Sequence, residues 1–179
     1  MDFQLSKMHL LQQELFRKFA ETEIAPLAKD MDEEEVYSPV LLEKMQKYGF
    51  FGLPYGKEYG GCGADNLTYT LCMEEVSKVD ASTGITLSVH TSLCCACISE
   101  FGTEEQKQQC CDQILEGRFG AFCLTEPMAG SDVSNTKTTA VEGSLNQIKA
   151  LPTAGCQIAR LAVPNMEAAR SFAEICRES

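Results

Sequence analysis

The 179-residue chain (19.7 kDa) is long enough for one domain with a sizeable core, or for one domain plus part of another. Its 15 basic and 26 acidic side chains leave a net charge of −11 and a pI near 4.6, a field that repels phosphate backbones and anionic lipid, so no nucleic acid or membrane partner is expected. Charged content of 23% and hydrophobic content of 44% exclude wholesale disorder, and the longest strictly apolar run, residues 93–98, is short for a membrane span.

The opening residues Met1-Asp2-Phe3-Gln4 have no basic n-region, and Arg17 is the single arginine among the first forty residues. Neither a secretory signal nor a transit peptide is indicated, and a cytoplasmic location is the expectation. The ten cysteines, at 62, 72, 94, 95, 97, 110, 111, 123, 156 and 176, fall mostly in helix-like segments. They read as reduced, small apolar residues rather than as a disulfide framework.

Met8, Leu11, Leu15 and Phe19 repeat at helical spacing and predict one apolar stripe, which Leu27 and Met31 continue beyond a kink or break at Pro26. Ser38-Pro39 is a start signal for a short helix with Leu41, Met45 and Tyr48 inward, ending at Gly49. The glycine-rich stretch 49–65 is loop. It lacks the GxxxxGK[ST] order and a leading strand, so it is not read as a phosphate cradle.

Asp65 can cap a helix carrying Tyr69, Met73, Val76 and Val79, and Ser82 a longer one to Phe101, buried on most sides. Thr103 and Gln106 form a capping box for a helix ending near Gly117. The pattern then changes. Residues 120–124 and 136–141 are strand-like, separated by a small polar turn. The fold class is therefore mainly α over 1–117, with β-structure beginning over 118–142. A tail of different character fills 143–179, broken by Pro152 and Pro164 and closing on an amphipathic stretch after Asn165.

Two constellations could carry chemistry. His90, Cys94 and Cys97 share a helical face, with Cys110 and Cys111 downstream. Mid-helix placement is poor for a convergent tetrahedral zinc site, so none is assigned, and Cys94–Cys97 lacks the helix N-terminus that activates redox thiols. The second constellation is the turn at 120–132. Ala129 and Gly130 leave room for a flat ring or a phosphate, and Thr125 and Ser131 offer uncharged donors, a set suited to the edge of an isoalloxazine. On these grounds alone an ordinary strand and turn is the leading reading of the same residues.

The segment GAFCLTEPMAGSD at 120–132 resembles the flavin-binding signature of the acyl-CoA dehydrogenase family. The resemblance extends upstream through EIAPLA (23–28), YGFFGLPYGKEYGGCGAD (48–65), MEEVSKVDASTG (73–84) and FGTEEQK (101–107), and is closest to short-chain, butyryl-CoA-type bacterial members. It implies an N-terminal helical domain, here 1–117, followed at 118–142 by the truncated start of a middle β-domain. It also implies FAD as cofactor, α,β-dehydrogenation of an acyl-CoA, electron-transfer flavoprotein as electron acceptor, and a family homo-oligomer held largely by a C-terminal bundle.

Carried onto this chain, the resemblance makes Phe122, Cys123, Leu124, Thr125, Gly130 and Ser131 flavin contacts, with Ser131 also reaching the substrate's CoA portion. Residues 91–95 become a wall of the acyl pocket. Glu126 is then a turn-stabilising position, because the family takes its catalytic base from the bundle, and no catalytic residue is assigned here. Beyond 142 the second flavin segment, of WITN or FITN type, does not follow. A reading-frame change, a chimeric join or a truncated gene each account for the departure. Inactivity of the isolated chain is expected, and a non-catalytic helical remnant or interaction module is the alternative.

Overall fold

The computed structural model describes residues 4–115, 117–122, 124–125, 127–135 and 137. Contacts divide the chain into two compact units, Met1–Gly117 and Arg118–Ser179. In the first, seven α-helices are described: α1 (Lys7–Phe19), α2 (Ala25–Glu34), α3 (Pro39–Lys47), α4 (Asn66–Val79), α5 (Ala81–Ser88), α6 (Ala96–Phe101) and α7 (Glu104–Leu115).

Local capping chemistry sets most of the starts. Ser6, Ser38 and Asp65 accept from the amides of His9, Leu41 and Thr68. Thr103 and Gln106 bond reciprocally, as the capping box requires. The start of α5 differs from the expectation. Asp80, not Ser82, is the cap, and its carboxylate accepts from the amides of both Ser82 and Thr83. A carboxylate can take two donors at a helix start, and here it displaces the hydroxyl.

Pro26 does not break the helix. The residues before it, Ala20–Ile24, form a π-turn in which the amide of Ala25 reaches back to Ala20, so helical hydrogen bonding continues from α1 into α2. The widened turn takes up the misfit that the missing proline donor would cause in a regular helix. A second π-turn, Val89–Cys95, joins α5 to α6, with the amide of Ala96 bonded to the carbonyl of Thr91.

Most of the stripe predicted on α1 faces water, with only Phe19 half-buried, against Phe50. Met8, Leu11 and Leu15 are 62%, 53% and 58% exposed. The opposite, largely polar face packs on α4 through side-chain bonds: His9 to Asp65, Gln12 to Thr68, and Gln13 and Arg17 to Glu75. Long-range hydrogen bonds therefore decided the rotation of α1, not periodicity. Tyr48 is likewise exposed rather than inward, lying edge-on to Phe19 with centroids 5.6 Å apart, whereas Leu41 and Met45 are buried as expected. On α4 the buried residues are Thr68, Leu71, Cys72, Glu75 and Val76, so of the four predicted only Val76 is fully inside.

The apolar core joins Ala20, Ile24, Leu41, Met45, Phe50, Leu71, Val76 and Leu87. The segment Ala81–Phe101 is long and apolar enough, by length and composition, to cross a membrane, which the run-length reading understated. Its residues Thr83, Gly84, Leu87, His90, Thr91, Cys94 and Cys95 are buried within the first unit, as in a core helix. It is not buried on most sides, because Ile85, Leu93 and Phe101 are exposed.

In the second unit the strand expected over 120–124 is reduced to an isolated bridging residue at Phe122, with another at Ala129 and a short 3₁₀ turn at Val133–Asn135. Among the described residues there is no sheet. A strand needs neighbours to satisfy its backbone, and among the described residues only these isolated bridges are formed. The predicted strand 136–141, apart from Lys137, and the tail 143–179 lie outside the described residues.

Candidate flavin-edge turn and helical wall

The glycine-rich loop after α3 is closed on itself. The amides of Gly61, Cys62, Gly63 and Ala64 donate to the carbonyls of Gly56, Gly52, Tyr55 and Leu53 at 2.7–3.0 Å, so none of these four is left to cradle a phosphate. Gly61 is pinned by sterics: a Cβ there would lie 2.3 Å from the Tyr55 carbonyl oxygen. The loop's Tyr55 hydroxyl donates to the Thr91 carbonyl at 2.5 Å, tying loop to π-turn.

That π-turn alters the His/Cys constellation. In a regular helix the neighbour of His90 is Cys94. Here the i+5 residue, Cys95, is within reach, with its Sγ 3.7 Å from Nε2. Burial pulls the His90 pKa down to about 4, so the imidazole is neutral at physiological pH, and it stands edge-on to Phe51 at 5.2 Å. No group of three or more His, Cys, Asp or Glu side chains converges as a metal site among the described residues. The wall residues Thr91, Cys94 and Cys95 are buried, while Ser92 and Leu93 are exposed, with Ser92 bonded to the Tyr69 hydroxyl at 2.7 Å.

In the turn at 120–132, Phe122 and Leu124 are half-buried, and Thr125, Gly130 and Ser131 are exposed. Ala129 is buried, and a Cβ built on Gly130 meets nothing within 4 Å. The two hydroxyls thus sit on an uncrowded stretch of backbone rather than in a dry interior. That arrangement fits the neutral, hydrogen-bonding edge of a flat ring. Cys123 and Glu126 lie outside the described residues.

Glu75 is the only buried carboxylate among the described residues. Its pKa is held at about 2, first by Arg17 and then by Lys78 and Gln13, against the opposing effect of burial. A carboxylate that acidic is no proton acceptor for a carbon acid. Sequence reading missed a further cluster. Ser6 Oγ lies 3.0 Å from His9 Nδ1, and His9 Nε2 lies 2.9 Å from Asp65. Both outer residues are helix caps, so the trio splices the starts of α1 and α4 together.

A family model described as acyl-CoA dehydrogenase, N-terminal domain, matches residues 6–118. The chain belongs to the acyl-CoA dehydrogenase family. It is 46% identical over 142 residues to the short-chain specific acyl-CoA dehydrogenase of Clostridium acetobutylicum, a match covering 79% of this chain and 38% of that protein. Butyryl-CoA dehydrogenase from Megasphaera elsdenii superposes with a TM-score of 0.69 at 39% identity, covering 77% of this chain and 37% of that one. A chain solved in work on the electron transferring flavoprotein of Acidaminococcus fermentans and flavin-based electron bifurcation gives 0.74 at 46% identity, covering 80% and 38%.

The acyl-CoA dehydrogenase resemblance therefore spans little more than a third of these relatives' length. A second model, described as the GcpE TIM-barrel domain, matches residues 125–179. It takes in the tail that showed no acyl-CoA dehydrogenase pattern and overlaps the turn from Thr125 onward.

Proposed function

We propose that residues 1–142 are the N-terminal portion of an FAD-dependent, short-chain acyl-CoA dehydrogenase that works in the cytoplasm and passes electrons to an electron-transfer flavoprotein. The chain by itself would bind FAD weakly or not at all and would not turn over. FAD, when bound, supplies the acceptor for the hydride leaving Cβ of the acyl group. Phe122, Cys123 and Leu124 would line it, the Thr125 hydroxyl and nearby amides would hold its polar edge, and Gly130 and Ser131 would continue the contact. Ser131 would also reach the CoA portion of the substrate. The uncharged surface around residues 91–95 would form one wall for a short acyl chain.

The observation that carries this reading is the uncrowded turn with its two exposed hydroxyls, set in a chain of this family. Proton abstraction is not assigned to any residue of 1–142, since the one buried carboxylate among the described residues is committed to its ion pairs.

The GcpE similarity of 125–179 favours a join of two coding segments over a frame change, because an out-of-frame tail would match no family. The test follows from that. A hybrid carrying residues 1–142 of this chain and the remainder of the Clostridium acetobutylicum relative should bind about one FAD and oxidise butyryl-CoA, and Thr125→Ala should weaken its flavin binding. A folded hybrid that takes up no flavin would overturn the reading. One equivalent of flavin co-purifying with the unmodified chain would overturn its expected incompetence.

A further inference from the structure

The junction between α2 and α3 is built on one residue that the dehydrogenase reading does not use. Glu35 ends α2 in the left-handed region, at φ 54°, and its amide and that of Val36 both donate to the Met31 carbonyl. The Ser38 amide donates to the thioether sulfur of the same residue at 3.4 Å. Ser38 in turn caps α3, its hydroxyl accepting from the Leu41 amide at 3.3 Å. Main chain and side chain of Met31 thus close one helix and fix the start of the next. Met31 is half-buried, whereas Met45 on α3 is 1% exposed and Met8 and Met128 are 62% and 71% exposed.

We propose that Met31 is a sulfoxidation site, through which hydrogen peroxide loosens the α2–α3 junction. The inference does not depend on the proposed enzymatic function.

A thioether sulfur carries two lone pairs, and the Ser38 amide occupies one of them. The other is the nucleophile, and half-burial leaves it open to a reagent little larger than water. It attacks one oxygen of the peroxide, the O–O bond breaks, and the hydroxide that leaves takes the proton from the oxygen now on sulfur. The products are methionine sulfoxide and water. Sulfur is oxidised by two electrons and the peroxide is reduced by two. The sulfoxide is polar and carries an oxygen where the thioether had a bare lone pair. At 3.4 Å, the gap between sulfur and the Ser38 nitrogen is already filled by the N–H, so the oxygen cannot enter without pushing the two apart. The amide comes off the sulfur, and the start of α3 is freed from the end of α2.

The test treats the folded full-length chain with dilute hydrogen peroxide, maps the added oxygen by peptide mass spectrometry and follows amide hydrogen exchange by NMR. Met8 and Met128 are the accessible controls and Met45 the buried one. The expected result is one oxygen on Met31 with Met45 still reduced, and exchange at the Ser38 amide about two- to fivefold faster. Treatment with both methionine sulfoxide reductases should restore the original rate. A Met8→Leu, Met128→Leu double variant should respond in the same way, and Met31→Leu should exchange fast at Ser38 from the outset with no response to peroxide. Met31 that stays reduced after Met8 and Met128 are fully oxidised overturns the proposal. So does an oxidised Met31 with Ser38 exchange unchanged, or a rise shared equally by the amides of α4, which would mark general unfolding.

Discussion

Replacing Arg17 by Met keeps most of the aliphatic stem and removes the guanidinium that grips Glu75. Two charged hydrogen bonds go, Nε to Oε2 at 3.0 Å and Nη2 to Oε1 at 3.1 Å. Gln13 and Lys78 still serve Oε1, but Oε2 loses its donor inside a side chain only 2% exposed. A charged hydrogen bond is worth about 1.5–3 kcal/mol. Arg17 is half exposed, so water recovers part of the loss. The net cost is about 2–3 kcal/mol, below that of breaking a wholly buried pair. At roughly 4 °C per kcal/mol for a unit of this size, melting followed by circular dichroism at 222 nm should fall by about 10 °C.

The acid dependence sharpens the test. The Glu75 pKa lies at about 2 in the folded chain, below its ordinary 4.5. A lowered folded pKa gives stability that is complete above about 4.5 and is lost as pH falls toward 2. The gap between parent and variant in urea midpoint should therefore be constant from pH 8 to 6 and narrow below 4.5. A variant within 0.5 kcal/mol of the parent at pH 7, or a gap that persists undiminished at pH 3, refutes the reasoning.

Asp65 follows the same sign. The Thr68 amide and then His9 hold its pKa at about 2, so its contribution is complete above about 3.8 and fades as pH falls toward 2. His9→Ala should raise the Asp65 pKa toward the ordinary value, read from its carboxyl shift by NMR, and no movement would break the proposed splice between caps. Gly61→Ala places a methyl against two backbone carbonyls that cannot step aside, and should cost about 2 kcal/mol or more in a thermal melt. Tyr55→Phe removes the donor to the Thr91 carbonyl, which keeps the Ala96 amide, so a loss of about 1 kcal/mol is expected, and an unchanged melt counts against the tie.

What the sequence made legible was local. Ser38, Asp65 and the Thr103–Gln106 box announce helix starts because a cap and its amide lie within three residues of one another. The rotation of α1 was not legible, since its partners on α4 lie 56–62 residues away and are polar, so they leave no hydrophobic pattern. Both π-turns were also invisible. Nothing in AETEI or VHTSLCC distinguishes a five-residue bond from a four-residue one, and that is why His90 was matched with Cys94 instead of Cys95. The flavin-edge turn was legible mainly through resemblance. Its composition alone favoured a plain turn, and only the open space at Gly130 adds a geometric argument.

The turn at Val89–Cys95 works as a phase buffer. One surplus residue is taken up in a widened turn without breaking the helical hydrogen bonding. Deleting a single residue there would restore a regular winding and leave Ala96–Phe101 presenting the same side chains to α7. The same deletion in a regular turn on either side would instead swing everything downstream by about 100°. A one-residue change of length is thus tolerated at this stretch, and relatives that differ by one position across it would still pair residues pointing the same way beyond it.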